Sequence, residues 1–142
     1  ALDVLRKHNF LIGFARRRTL KDLTEEVMLG KCHLMLGPKG ANHQYAPYRV
    51  VRLVVLQLSD KQGRWLVQLA ETQGSYCKPK FRMPGAKVLP EELPRDSVQR
   101  LIQTQLFKLR PAIHIVGEEN VVEYESSASY GLRTKYIKIV FT

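Results

Sequence analysis

Residues 81–106 read FRMPGAKVLPEELPRDSVQRLIQTQL, and the way this stretch is read decides the fold. It approaches through apolar Phe81 and Met83, turns at Pro84-Gly85 and reaches two glutamates, Glu91 and Glu92. From Pro94 the pattern is helical. Val98, Leu101, Ile102 and the run Leu106 to Leu109 make one apolar face. Pro94 suits a first helical position, where its missing amide costs nothing, and Pro111 stops the helix. A helix built to hold a cation would carry carboxylates on its other face; this one offers Gln103 and Thr104.

Working outward, Val50 to Leu58 form a β-branched, apolar run of the kind buried on both faces of a sheet. SDKQGR then turns, and WLVQLAE resumes the apolar pattern, predicting a hairpin with a loop of four to six residues. Trp65 reads as core of that second strand, although it and Tyr76 have the shape to stack a base. TQGSYCKPK reads as a loop. Upstream, TLKDLTEEVML repeats Leu20, Leu23, Val27 and Met28 at helical spacing, with Thr19 or Asp22 as cap and Gly30 as stop. GPKGANHQYAP has turn chemistry. Downstream of Pro111 the tail predicts two or three strands, the last rich in Tyr136, Ile137, Ile139 and Phe141. Helix, strands, loop, helix, strands implies an α/β fold with helices on both sides of a mixed sheet.

The 142 residues suit one domain, and their 44% hydrophobic content suits a globular one. The chain begins at Ala1 and stops in the apolar run KIVFT, which is read as a domain excised from a longer protein. Net charge is +10, from 23 basic and 13 acidic side chains, a balance that favours phosphate-bearing partners or simply keeps the domain soluble. Cys32 and Cys77 lack metal-site spacing; reduced thiols in an intracellular compartment are expected, with a single disulfide as the alternative. No run approaches the roughly 20 apolar residues that span a bilayer. The four histidines are scattered, GPKG lacks the ending of a phosphate-binding loop, and Ser126, Ser127 and Ser129 lack a nucleophile context. ARRRTLK (residues 15–21) is either a phosphate clamp or a solvated face beside the helix start.

The central stretch resembles the signature of the Nudix hydrolases. That signature has a glycine, five free positions, a glutamate, seven free positions and then Arg-Glu-apolar-x-Glu-Glu-x-Gly-apolar. Here Gly85 supplies the glycine and Glu91 the glutamate. Gln99 stands for the arginine, Arg100 for the next glutamate, Leu101 for the apolar residue and Gln103-Thr104 for the glutamate pair. Leu106 replaces the last glycine. The resemblance covers residues 48–142 and implies an α/β/α sandwich, with residues 1–47 as a helical N-terminal extension.

Hydrolysis of the Nudix type needs Mg²⁺ or Mn²⁺, hard cations held by carboxylates, which activate the attacking water. With neutral Gln103 and Thr104, and a cation at Arg100, no metal, cofactor or catalytic residue is expected. The expectation is a non-catalytic Nudix-like module for ligand sensing or protein–protein interaction in a larger protein. Its partners would be neighbouring domains or a nucleotide-derived ligand held by Lys78, Lys80, Arg82, Lys87 and Arg100. One alternative is an RNA-contacting component of a ribonucleoprotein, whose affinity would fall with salt. Another is a metal-dependent hydrolase with displaced carboxylates, resting on Glu91 or Glu92.

Overall fold

In the computed structural model the described residues are 18–39, 45–127 and 129–142. Helices and strands mix along the chain. Helix α1 (Leu20–Met28) leads into β1 (His33–Lys39) and β2 (Tyr45–Leu56); β3 (Gln68–Gln73), β4 (Tyr76–Arg82) and the short β5 (Gly85–Lys87) follow; then come α2 (Pro94–Gln105), a 3₁₀ turn (Arg110–Ala112), β6 (Glu118–Ser126) and β7 (Arg133–Phe141). The main sheet has strand order β1-β2-β7-β6, with β5 also on β2. β1 and β5 are antiparallel to β2. The amide of Gln57, just past β2, donates to the carbonyl of Phe141 at the end of β7, so these two strands run parallel. The sheet is therefore mixed. A parallel pair needs a long crossover, which everything from β3 to β6 supplies.

Two units divide the chain. The first comprises residues up to 52 with 122–137. Its helix α1 starts on a reciprocal cap, the Thr19 amide donating to Asp22 Oδ2 and the Asp22 amide to Thr19 Oγ1. It ends where Gly30 adopts φ 64°, as the glycine stop predicts. Leu23, Cys32, Val50, Val51 and Leu132 fill the interior. The GPK of the expected loop belongs to β1, and Tyr45-Ala46-Pro47 to β2. Backbone pairing absorbed turn-prone residues there; Gly37 is compatible because the Ala46 carbonyl lies 3.1 Å from where a Cβ would stand. The segment assigned to a helical extension thus also carries β1 and the start of β2.

The second unit comprises residues 53–121 with 138–142. Val98, Leu101 and Ile102 of α2 pack with Val54, Leu56, Val88 and Phe141. The helix begins at Pro94 as predicted but ends at Gln105, so Phe107 and Leu109 lie outside it and exposed. Three further expectations are corrected. β2 does not continue into a hairpin with β3: the SDKQGR turn closes only a single bridge, Ser59 with Trp65. β3 instead pairs forward with β4, in a separate two-stranded ribbon turned at Gly74 (φ 62°). TQGSYCKPK is therefore mostly strand, and Trp65, read as core, is 55% exposed. Periodicity identified the strands, but partner choice is a non-local matter that the alternation of residues does not encode.

Candidate functional site

The site is built from the Pro84-Gly85 turn outward. The amide of Leu56 donates to the carbonyl of Pro84, and β5 then runs against β2. A Cβ at Gly85 would lie 3.0 Å from the Val54 carbonyl, so the close approach favours glycine. Past β5 the chain turns at Glu91, a non-glycine residue at φ 61°. That turn aims the next side chain, Glu92, back at the helix. Glu92 Oε1 accepts from Arg100 Nε at 2.8 Å and Oε2 from Arg100 Nη2 at 2.9 Å. Oε2 also accepts from Ser97 Oγ (2.5 Å) and the Leu89 amide (3.0 Å), while Arg100 Nη2 donates to the Lys87 carbonyl (2.9 Å). Two-point pairing with a guanidinium is the strongest geometry a carboxylate finds. Arg100 above all, then Ser97 and the Leu89 amide, hold the Glu92 carboxyl down at about 2.

A cleft of about 480 Å³ opens between the β3–β4 ribbon and the end of α2. Its walls include Gln68, Thr72, Arg82, Pro84, Gln105 and Leu106. The ribbon carries an irregularity between Gln68 and Ala70, where the register with β4 slips by one. A bulge of this kind re-aims side chains. It sends Arg82 to the cleft beside Gln68, whose Oε1 accepts from Arg82 Nε at 2.9 Å. Lys78 and Lys80 stay with Glu71: Lys78 opposes it in register and Lys80 forms an ion pair with it. Among the described residues, no carboxylate comes within ion-pairing distance of Arg82.

The five residues expected to hold an anion are thus divided. Arg82 lines the cleft. Lys78 and Lys80 stand on β4, a strand rather than the expected loop, and face Glu71 of β3. Lys87 is half-buried in β5, and Arg100 is committed to Glu92. Gly85 serves the close approach to β2. Glu91 is an exposed turn residue and Gln99 an exposed helical one. Gln103 and Thr104 are exposed, and Thr104 Oγ1 donates to its own helix at the Arg100 carbonyl (2.8 Å). Neither lines the cleft; Gln105 does. The sequence points to Glu92 only as a displaced carboxylate, not as the partner of Arg100, and carries no sign of Gln68 or Gln105. One signal was available for Glu92, because it stands the signature's glutamate-to-arginine spacing, seven free positions, before Arg100.

Hard divalent cations want several carboxylate oxygens converging on one point. The cleft's one carboxylate, Glu71, is held by Lys80, and the helix end offers only amide and hydroxyl oxygens. These residues do not fit such a metal. No group of three or more His, Cys, Asp or Glu among the described residues is arranged to hold one.

A second polar cluster lies in the first unit. Glu26, buried on α1, takes an ion pair from buried Arg49 (Nη2–Oε2 2.5 Å) and another from Arg18. The Arg49 guanidinium stacks 5.0 Å from the centre of the Tyr130 ring. Arg18, the described end of the basic run, is thereby spent on a structural pair; residues 15–17 lie outside the described residues. Both cysteines are free, Cys32 buried and Cys77 exposed on β4. No helix among the described residues is long and apolar enough to cross a membrane.

No known protein-family model matches this chain, and no curated protein sequence matches it.

Proposed function

We propose that this chain is a Nudix-like α/β/α domain that has exchanged catalysis for binding, an interaction or sensing module of a larger protein. The observation that carries the reading is the Glu92–Arg100 pair. Its seven intervening residues are the glutamate-to-arginine spacing of the Nudix signature, displaced by one residue from Gly85. In that register Leu101 stands for the first helical glutamate, Ile102 for the apolar residue, and Thr104-Gln105 for the glutamate pair. The Pro-Gly turn before the helix, the mixed sheet and the packing of α2 on Val54 and Leu56 support the same frame. Gln105 then faces the cleft where a metal ligand would be wanted, and a neutral amide cannot replace a carboxylate. What survives is a cleft with one cation, Arg82, suited to holding an anionic group without metal.

The test is hydrolysis of a dinucleoside polyphosphate with Mg²⁺ and with Mn²⁺. No turnover is expected. Metal-dependent turnover abolished by Glu92→Gln would overturn the reading in favour of displaced carboxylates.

A second reading, contact with RNA, has its own support. β4 carries exposed Tyr76 and Phe81 among Lys78, Lys80 and Arg82, on a chain of net charge +10. Binding of oligouridylate that weakens steeply as salt rises would favour it.

A further inference from the structure

We propose that two adjoining clefts of the second unit form one groove for an extended peptide segment bearing a bulky apolar side chain and, two to four residues away, a carboxylate. The proposal deepens the reading of the domain as a non-catalytic module and rests on it.

The first cleft is the one that Arg82 lines. The second, of about 370 Å³, is walled by Leu58, Trp65, Leu66, Leu109 and Ile113. Leu66 lines both, so the two clefts share that wall. In the second, Trp65 is 55% and Leu109 43% exposed, a large investment of apolar surface facing water. The polar residues at its rim are already satisfied: Asp60 accepts from Arg64 Nε at 2.7 Å and from the amides of Gln62 and Arg64. This end therefore takes an aliphatic or aromatic side chain.

Charge fixes the other end. Two carboxylates line the groove, and each has its own cation: Asp60 has Arg64, and Glu71 has Lys80. Arg82 hydrogen-bonds a neutral carboxamide, which orients its guanidinium through Nε; Glu71 feels its charge from beyond ion-pairing distance but is bonded to Lys80, so the terminal nitrogens remain for a partner. A guanidinium presented this way matches one carboxylate, bidentately. A single such cation suits an acidic side chain better than a polynucleotide, which needs successive phosphate contacts. Spacing follows from the chain itself. Trp65 precedes Gln68, the partner of Arg82, by three residues, a reach of at most about 10 Å. Three extended residues of a bound peptide cover the same distance.

Trp65 is the sole tryptophan in the chain, so its emission reports on the groove. The experiment uses the whole chain and a panel of blocked octapeptides, each with one leucine or phenylalanine and one glutamate at separations of one to six residues. Saturable change in Trp65 emission is expected, strongest at separations of two to four. Replacing the glutamate by glutamine, or Arg82→Gln in the protein, should weaken binding at least about tenfold, the worth of a charged hydrogen bond. Leu109→Glu should abolish it, and the exposure of both positions keeps the variants folded, as a thermal melt would verify. No emission change with any peptide overturns the proposal. So does binding indifferent to the glutamate or to Arg82→Gln, or oligouridylate displacing peptide at Trp65. Metal-dependent turnover of a dinucleoside polyphosphate would separately remove the non-catalytic reading, whatever the peptides do.

Discussion

Glu92 and Arg100 are joined by two hydrogen bonds of 2.8 and 2.9 Å, and the pair fastens the turn after β5 onto α2. The Glu92 side chain is 14% exposed but that of Arg100 is 36% exposed, so water screens the pair in part. The Glu92 carboxyl lies at about 2 in the folded chain against an ordinary value of 4.5. A depressed carboxyl contributes stability that is fully present above the ordinary value and is lost as pH falls through the folded one. With that screening the contribution is on the order of 1–2 kcal/mol. Unfolding free energy measured by denaturant should therefore fall between about pH 5 and pH 2, and Glu92→Gln should flatten that limb while costing about 1–3 kcal/mol at neutral pH. An unchanged acid limb in Glu92→Gln would show that the pair does not hold this turn.

The displaced register makes a prediction that the sequence alignment does not. Thr104→Glu with Gln105→Glu should give the end of α2 affinity for Mn²⁺, seen as a melting temperature that rises with added metal. Arg100→Glu, which the alignment from Gly85 would choose, should instead set two carboxylates together at Glu92 and destabilise the fold by at least about 2 kcal/mol. Metal affinity in a folded variant carrying glutamate at 100, 103 and 104 would restore the original register.

In the first unit, Glu26→Gln should be among the most damaging polar substitutions. It leaves Arg49, 5% exposed, as a buried cation that has lost its carboxylate, and Arg49 Nε already lacks a partner. Removing one member of a buried pair costs about 3–5 kcal/mol. Equilibrium denaturation measures it; a cost below about 1 kcal/mol would mean that water reaches Arg49.

Gly85→Ala places a methyl 3.0 Å from the Val54 carbonyl, which belongs to backbone and cannot rotate away. An overpacking cost of about 1–3 kcal/mol is expected in thermal unfolding. Gly63→Ala offers a contrast, with no neighbour within 4 Å of the added carbon and a strained φ of 76° as its sole penalty.

The sequence by itself determined both described helices, a cap at Thr19 or Asp22, the stop at Gly30, the Pro94 start of α2, and the buried positions Val98, Leu101 and Ile102 of α2. These follow from local propensity and periodicity, which act within one or two turns of chain. It also determined that the helix end after Arg100 is poor in carboxylates. Three things were left to tertiary structure. β3 took β4 rather than β2 as its partner, since either choice satisfies the same alternation. The bulge at Gln68 and Ala70 sent Arg82 to the cleft and left Lys78 and Lys80 on Glu71, a division that a run of like charges does not announce. Arg100, counted as a ligand-binding cation, was claimed by Glu92 because the turn at Glu91 aims that carboxylate at the helix. In each case a side chain's role depends on a partner brought near by the fold, and pairing energies between residues distant in sequence leave no periodic trace.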